Sequence, residues 1–413
     1  MNEKNTLFTP LAKRGVKTIY RRLAGLIVSR GGKIMRSRSQ RIQSDRIIER
    51  RRRASLGSRL AGPVLAALIW LVVAPTAALA QTTFVVTRTD DPAPDGCAIG
   101  DCSLREAIIA ANAAAGADMI TFASPGSTYT LTIMGQGENA SATGDLDITD
   151  ALTIQGNSGS IIQAGVSPGT GIDRVFDVVA AVSVTFSGVT IRHGTIAGDG
   201  GGVFSNVASN ITISNTTVAN NQATSGGGIY KSTGQLTLSS ATVSGNSTTS
   251  EGGGIRCINC TLNLLGSLVS GNIANDTGAP TDDGGGISAE LASTVTIQNS
   301  AITSNQAGDQ GGGVYIINTS TATISGTNIA GNSGGTGGNT GDGIAAGNTA
   351  NVTVSLSRFH NNGTGFARQN TTTVVAMNNW WGCDGFPGAA GCDGVVNLDA
   401  THFDPRIDLR LIA

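Results

Sequence analysis

Apolar positions along this chain come in short alternating bursts separated by Gly, Asn, Ser and Thr. Ile211-Thr-Ile213, Leu236-Thr-Leu238, Leu262-Asn-Leu264, Val295-Thr-Ile297, Ala322-Thr-Ile324 and Val352-Thr-Val354 each set two apolar residues around a polar one. Such alternation belongs to half-buried strands rather than helices. Each burst follows Gly-Gly-Gly and then Val or Ile, at Gly200, Gly226, Gly252, Gly284 and Gly311, or the variant Gly-Asp-Gly-Ile at Gly341. The intervals are 26, 26, 32, 27 and 30 residues. A period in this range without a helical pattern predicts a stacked solenoid.

One repeat shows the geometry. Between Gly252 and Asn272, the segments Gly-Ile-Arg, Leu262-Asn-Leu264 and Leu268-Val-Ser270 read as three strands. Less regular coils precede the glycine repeats, around Leu146 and Val175. The predicted fold is all-β: a right-handed parallel β-helix of about nine coils with three strands per coil. At about 4.8 Å per coil, the rod is roughly 40 Å long. Asn220, Asn246, Asn272, Asn305, Asn332 and Asn361 run in phase with the glycines and are expected to stack at one bend. The glycines are expected to supply positive φ or close backbone approach at another. Thr212, Thr237, Thr296, Thr323 and Thr353, with Asn263 in the same place, should form an outward column, as a strand preference or as a sugar- or ice-facing surface.

A solenoid must cover its open core ends. Ser103-Leu-Arg-Glu106 reads as a capping box, in which Ser103 and Glu106 satisfy the first helical amides. Leu104, Ala107, Ile108 and Ala111 then share one helical face. The expected organisation is a basic leader and signal peptide over 1–80, an N-terminal cap over 81–145, β-helix repeats over 146–377 and a C-terminal cap over 378–413.

Composition divides the chain. Residues 1–59 hold 17 of its 27 Lys and Arg and 3 of its 28 Asp and Glu. An apolar stretch centred on Leu65–Val73 then ends in Ala78-Leu-Ala80. This order predicts a secretory signal peptide cut after Ala80. A start at Met35 would still leave Arg50–Arg53 as the basic region. Residues 81–413 carry 10 basic and 25 acidic residues, a formal −15 hidden in the whole-chain −1. Nucleic acid is therefore not an expected partner. No membrane span is expected after cleavage.

The six cysteines form three local pairs, Cys97/Cys102, Cys257/Cys260 and Cys383/Cys392. In an exported chain these predict disulfides. Zinc at Cys257/Cys260 is the rival reading, although no His or second close pair sits in adjoining repeats.

Candidate chemistry is sparse. Lys231, Arg256 and Glu251 form the best catalytic cluster, a base beside a carboxylate, as a polysaccharide lyase requires. Asp282-Asp283 is the adjacent carboxylate pair a hydrolase would want. Asp199, Glu251 and Asp283 precede glycine triplets, Asp309 lies one place further back, and Asp342 falls inside the variant. These five are expected along one edge, where they splay into solvent or hold calcium.

The terminal motifs resemble a known family. Cys102-Ser-Leu-Arg-Glu-Ala107 is the motif for which the CSLREA domain is named. Asn378-Asn-Trp-Trp-Gly382, with Cys383, Cys392 and Asp404-Pro405, resembles the closing segment of secreted bacterial β-helix proteins. The glycine repeats are similar to those of polymorphic outer-membrane proteins. The resemblance implies an exported or surface β-helix and no settled activity. The expected function is non-enzymatic adhesion or glycan binding, secreted or at a bacterial cell surface, with carbohydrate or cell-surface components as partners. A polysaccharide lyase or glycoside hydrolase, and a structural spacer, are the alternatives.

Overall fold

The computed structural model describes residues 81–275, 283–335, 341–383 and 387–398. Over these residues the chain winds a parallel β-helix, and the one helix among them is Leu104–Ala113. A sheet of ten strands takes one strand from each coil, from Leu146–Ile148 to Gly394–Val396. That makes ten rungs, against the nine or so that the repeat suggests. A wider sheet takes two strands per coil, such as Thr261–Leu265 and Leu268–Ser270, joined at a bend. Four central coils add a two-residue strand, such as Ile273–Ala274, because the chain pairs once more before its glycine turn. Those coils therefore carry four strand segments rather than three.

Register is residue for residue. Leu262 lies between Leu236 and Val295, and Asn263 between Thr237 and Thr296. Identical inward positions thus stack into columns. Ile211, Leu236, Leu262, Val295 and Val352 make one column, each at most 1% exposed. A fully buried side chain of this size contributes about 1.5–3 kcal/mol, so every coil adds several.

The asparagine ladder forms, with two of its predicted members displaced by one residue. Its rungs are Asn221, Asn246, Asn272, Asn305, Asn332 and Asn362. Each Nδ2 donates at 2.9–3.0 Å to the next residue's Oδ1. Asn220 and Asn361 instead hold the preceding left-handed position, at φ 55° and 60°. Glycine or serine fills that position in the other coils. Asn tolerates this conformation, so Asn-Asn satisfies both positions and conceals which one is buried. The ladder ends on Asp393, whose carboxylate accepts from Asn362 N and Nδ2. A last rung needs only acceptors.

The glycine triplet has three separate reasons to be glycine. Gly252 sits at φ +69°. A Cβ on Gly253 would lie 2.5 Å from the next coil's Gly285 carbonyl oxygen, and one on Gly254 3.0 Å from the Asn272 side chain. The triplet is the bend where the backbone closes over the ladder.

Both ends of the core are covered. The helix starts with the predicted capping box: Ser103 Oγ accepts from Glu106 N, and Glu106 Oε2 accepts from Ser103 N. Leu104, Ala107, Ile108 and Ala111 are buried. Arg105 is buried as well, bonding Asp91 and the carbonyls of Ser141, Gly144 and Asp145. At the other end Trp381 stacks on Phe359, ring centroids 4.4 Å apart. Strand pairing runs through the segment 81–145 into the repeats. Thr83–Val86 already pairs with Met119–Phe122, which pairs with the strand Leu152–Gln163. The leader 1–80 and Asp404-Pro405 lie outside the described residues.

All six cysteines are paired as expected: Cys97–Cys102, Cys257–Cys260 and Cys383–Cys392. Both sulfurs of the Cys257 pair are thereby taken up, which removes the zinc reading.

Candidate functional site

Alternation in the ten-strand sheet decides where the predicted catalytic residues point. Val203, Ile229, Ile255, Ile287 and Val314 face the core. The neighbouring column, Asp177, Phe204, Tyr230, Arg256, Ser288 and Tyr315, faces outward. Lys231 follows Tyr230 and so faces inward, fully buried. Its Nζ donates to Val207 O at 2.7 Å and Ser209 Oγ at 2.9 Å. Burial pushes its ammonium down to about 8.

Arg256 therefore shares no site with Lys231, and the expected Lys231–Arg256–Glu251 cluster divides between two faces of one sheet. The outward part closes on itself. Arg256 Nε donates to Glu290 Oε1 at 2.8 Å, NH1 donates to Ser225 Oγ at 2.6 Å, and NH2 pairs with Glu251. Burial, then a hydrogen bond with Glu290, pushes Glu251 up to about 8. Glu251 and Glu290 both pair with the one Arg256 guanidinium, which ties up the two carboxylates together. Glu290 is not among the sequence candidates. Aligning repeats on their glycine triplets finds it, opposite Ile258 in the preceding coil.

Of the acids expected to form a calcium edge, Asp199, Glu251 and Asp283 take equivalent positions in the stacked turns, with Ser225 between the first two. Asp283 Oδ1 accepts from Gln310 N at 2.9 Å, and Asp309 Oδ2 accepts from Gln310 Nε2 at 3.4 Å. Asp342 accepts from Gly334 N at 2.7 Å and Thr364 N at 2.8 Å. Asp199 bridges to Ser225 through its backbone, and burial raises its carboxyl above the usual range. Glu251 belongs to the Arg256 ion pairs. Asp282 lies outside the described residues.

A carboxylate cluster does occur elsewhere, in the first two rungs. Oxygens of Asp145, Asp147 and Asp177, all from buried residues, lie within 4.8 Å of one another. Arg174 pairs with Asp177 at 2.7 Å and Asp145 at 3.6 Å, and its guanidinium lies 4.4 Å from the Phe204 ring centre. Burial, then the charges of Asp173 and Asp147, pushes Asp145 up to about 8. Burial pushes Asp147 up to about 7. The sequence signal is weak because these coils lack glycine triplets. It lies in Leu146-Asp-Ile and Phe176-Asp-Val, a charge set between two core residues twice over.

A shallow, uncharged groove of about 780 Å³ lies along the turns that follow the later strands of the ten-strand sheet. Asn318, Asn348 and Asn370 form an exposed amide ladder along it: Asn348 Nδ2 donates to Asn318 Oδ1 at 3.3 Å, and Asn370 Nδ2 to Asn348 Oδ1 at 3.1 Å. Thr319 and Thr349 add hydroxyls, and Leu291, 52% exposed, adds an apolar wall. The chain then enters the strands that carry the threonine column, which pairs from Thr212 through Thr237, Asn263, Thr296 and Thr323 to Thr353.

The stacked coils, columns and capped ends define a right-handed parallel β-helix protein with polar corners and faces. Residues 149–310 and 285–397 match the family described as right handed beta helix region, and the chain belongs to that family. No curated protein matches it. Among solved structures it is similar to the crystal structure of pectate lyase Pel9A, at 13% identity over 79% of each chain with a TM-score of 0.40.

Proposed function

We propose that this β-helix is an exported, non-enzymatic rod that binds carbohydrate in the medium or at a bacterial cell surface through its corner groove. The observation that carries the reading is the exposed Asn318–Asn348–Asn370 ladder with flanking threonine hydroxyls and Leu291. Amides donate and accept, hydroxyls do both, and an apolar wall suits the C–H face of a pyranose ring. The groove is neutral, and the −15 of residues 81–413 favours neutral over anionic glycans. Export is supported by the basic leader, the Ala78-Leu-Ala80 signal and three disulfides that suit an oxidising compartment. No helix among the described residues is long and apolar enough to cross a membrane. Division of Lys231 from Arg256 and Glu251 weighs against the lyase alternative.

The test is a glycan array probed with the exported chain, with and without calcium, followed by titration of any hit. Neutral glycans should bind, and Asn348→Gly, which keeps the φ of 49°, should weaken binding at least tenfold with little change in melting temperature. Silence under both conditions, or unchanged binding by Asn348→Gly, sinks the proposal. An unsaturated product from polyuronides would favour the lyase instead.

A further inference from the structure

The first two rungs hold a polar cluster that the groove does not use. Asp147 is fully buried. Its Oδ2 accepts from Ser141 N at 2.7 Å, while its Oδ1 is buried without a hydrogen-bond partner. Asp177 stands opposite Asp147 in the next coil. Asp145 completes a set of three carboxylate oxygens within 4.8 Å of one another. Asp173, also buried, lies close enough for its charge to act on Asp145. Arg174 supplies one positive charge to Asp145 and Asp177, and its Nε is itself without a hydrogen bond. The Arg105 guanidinium nearby is paired with Asp91.

Buried carboxylates without enough counter-charge are costly, and an unpartnered buried oxygen adds to that cost. We propose that Asp145, Asp147 and Asp177 bind one calcium ion, which fastens the cap to the first two rungs of the β-helix. Oxygens up to about 5 Å apart can share one ion at calcium–oxygen distances of about 2.3–2.6 Å. The donors are all carboxylate oxygens, with no His or Cys, which selects a hard cation over zinc. The site also sits where an ion can act mechanically. Asp147 Oδ2 holds the Ser141 amide, and Ser141, Gly144 and Asp145 present their carbonyls to Arg105 of the capping helix. One ion would thus tie the segment 141–147 to the coil that carries Asp177. This inference is independent of glycan binding.

The experiment uses the full chain, stripped with EDTA and dialysed. Its melting temperature is then measured in calcium chloride, magnesium chloride and sodium chloride at equal ionic strength. Calcium at a hundredfold excess over its Kd should raise the melting temperature by roughly 5 °C. Bound calcium measured by mass spectrometry should saturate at one ion per chain. Asp147→Asn should abolish the shift, and in EDTA it should melt no lower than the parent. Should Asp147→Asn not fold, Asp177→Asn together with the parent stoichiometry decides. The proposal is overturned by no calcium-dependent shift in the parent, by an equal shift in sodium, or by a folded Asp147→Asn or Asp177→Asn that keeps the full shift.

Discussion

Replacing Asn272 by Ala should cost far more than replacing Asn220 by Gly, although both belong to the same repeated signal. Asn272 is fully buried. Its Nδ2 donates to Val243 O at 3.0 Å and to Asn305 Oδ1 at 2.9 Å. Its Oδ1 accepts from Asn246 N at 3.1 Å and from Asn246 Nδ2 at 2.9 Å. Truncation removes four hydrogen bonds at about 0.5–1.5 kcal/mol each and leaves the Asn246 amide buried without a partner. The expected loss is about 4 kcal/mol. Asn220 is exposed at φ 55°, a conformation glycine adopts freely, so Asn220→Gly should fall within about 0.5 kcal/mol of the parent. Because solenoid coils couple to nearest neighbours, the damage should be local. Guanidinium denaturation measures the loss. Hydrogen exchange places it, with the Asn246 amide losing protection before amides near the capping helix. A loss under about 1 kcal/mol for Asn272→Ala, or comparable losses at the two positions, would refute the ladder as a source of stability.

Three further outcomes are expected. Lys231 has a folded-state pKa of about 8, below its ordinary 10.5, so the unfolded chain binds more protons between those values and stability should rise with pH across that window. Lys231→Met should lack that rise, on the order of 3 kcal/mol, and denaturation at pH 7, 8, 9 and 10 checks it; a parent–variant difference constant with pH refutes it. Arg105→Met leaves Asp91, its side chain 4% exposed, with the Thr132 and Ile133 amides but no counter-charge, and should cost about 3 kcal/mol, read as early proteolysis near the cap; Arg105→Lys should not rescue, since one ammonium cannot replace the guanidinium fork. Gly254→Ala pushes a methyl to 3.0 Å from the Asn272 side chain and 2.6 Å from Gly286 O, and should lower the melting temperature, whereas Ala at Gly266, which meets nothing within 4 Å, should cost only the strain of φ +53°.

The fold was legible because a solenoid writes its geometry once per coil. Alternation in Leu262-Asn-Leu264 determines which residues face inward, and the glycine spacing sets the turns, so columns follow by alignment. The capping box was legible for a local reason: Ser103 and Glu106 satisfy amides within one helical turn. The Arg105 ties are different. They reach carbonyls 36 to 40 residues away and carry no local signature. Every residue of the motif Cys102-Ser-Leu-Arg-Glu-Ala107 therefore serves the cap. Cys102 closes a disulfide, Ser103 and Glu106 cap the helix, Leu104 and Ala107 pack the core, and Arg105 makes the long-range ties.

The predicted catalytic cluster fails for one physical reason. Proximity in the repeat suggests a shared surface, yet in a strand one step along the chain reverses the face. Lys231 and Arg256 occupy adjacent alignment positions, and that single step places one ammonium in the core and one guanidinium outside. The same step explains the clusters that the sequence reading lacks. Asp147 and Asp177 sit at the middle of apolar triplets, which marks them as outward and stacked once the register Leu146↔Phe176 is known. Glu290 falls two places beyond Ser288, on Arg256's side of the sheet. Sequence periodicity gives the column of a residue, and strand parity gives its face. Charges that matter to a β-helix are those whose columns and faces both agree, as Asp147 and Asp177 do in the first two rungs.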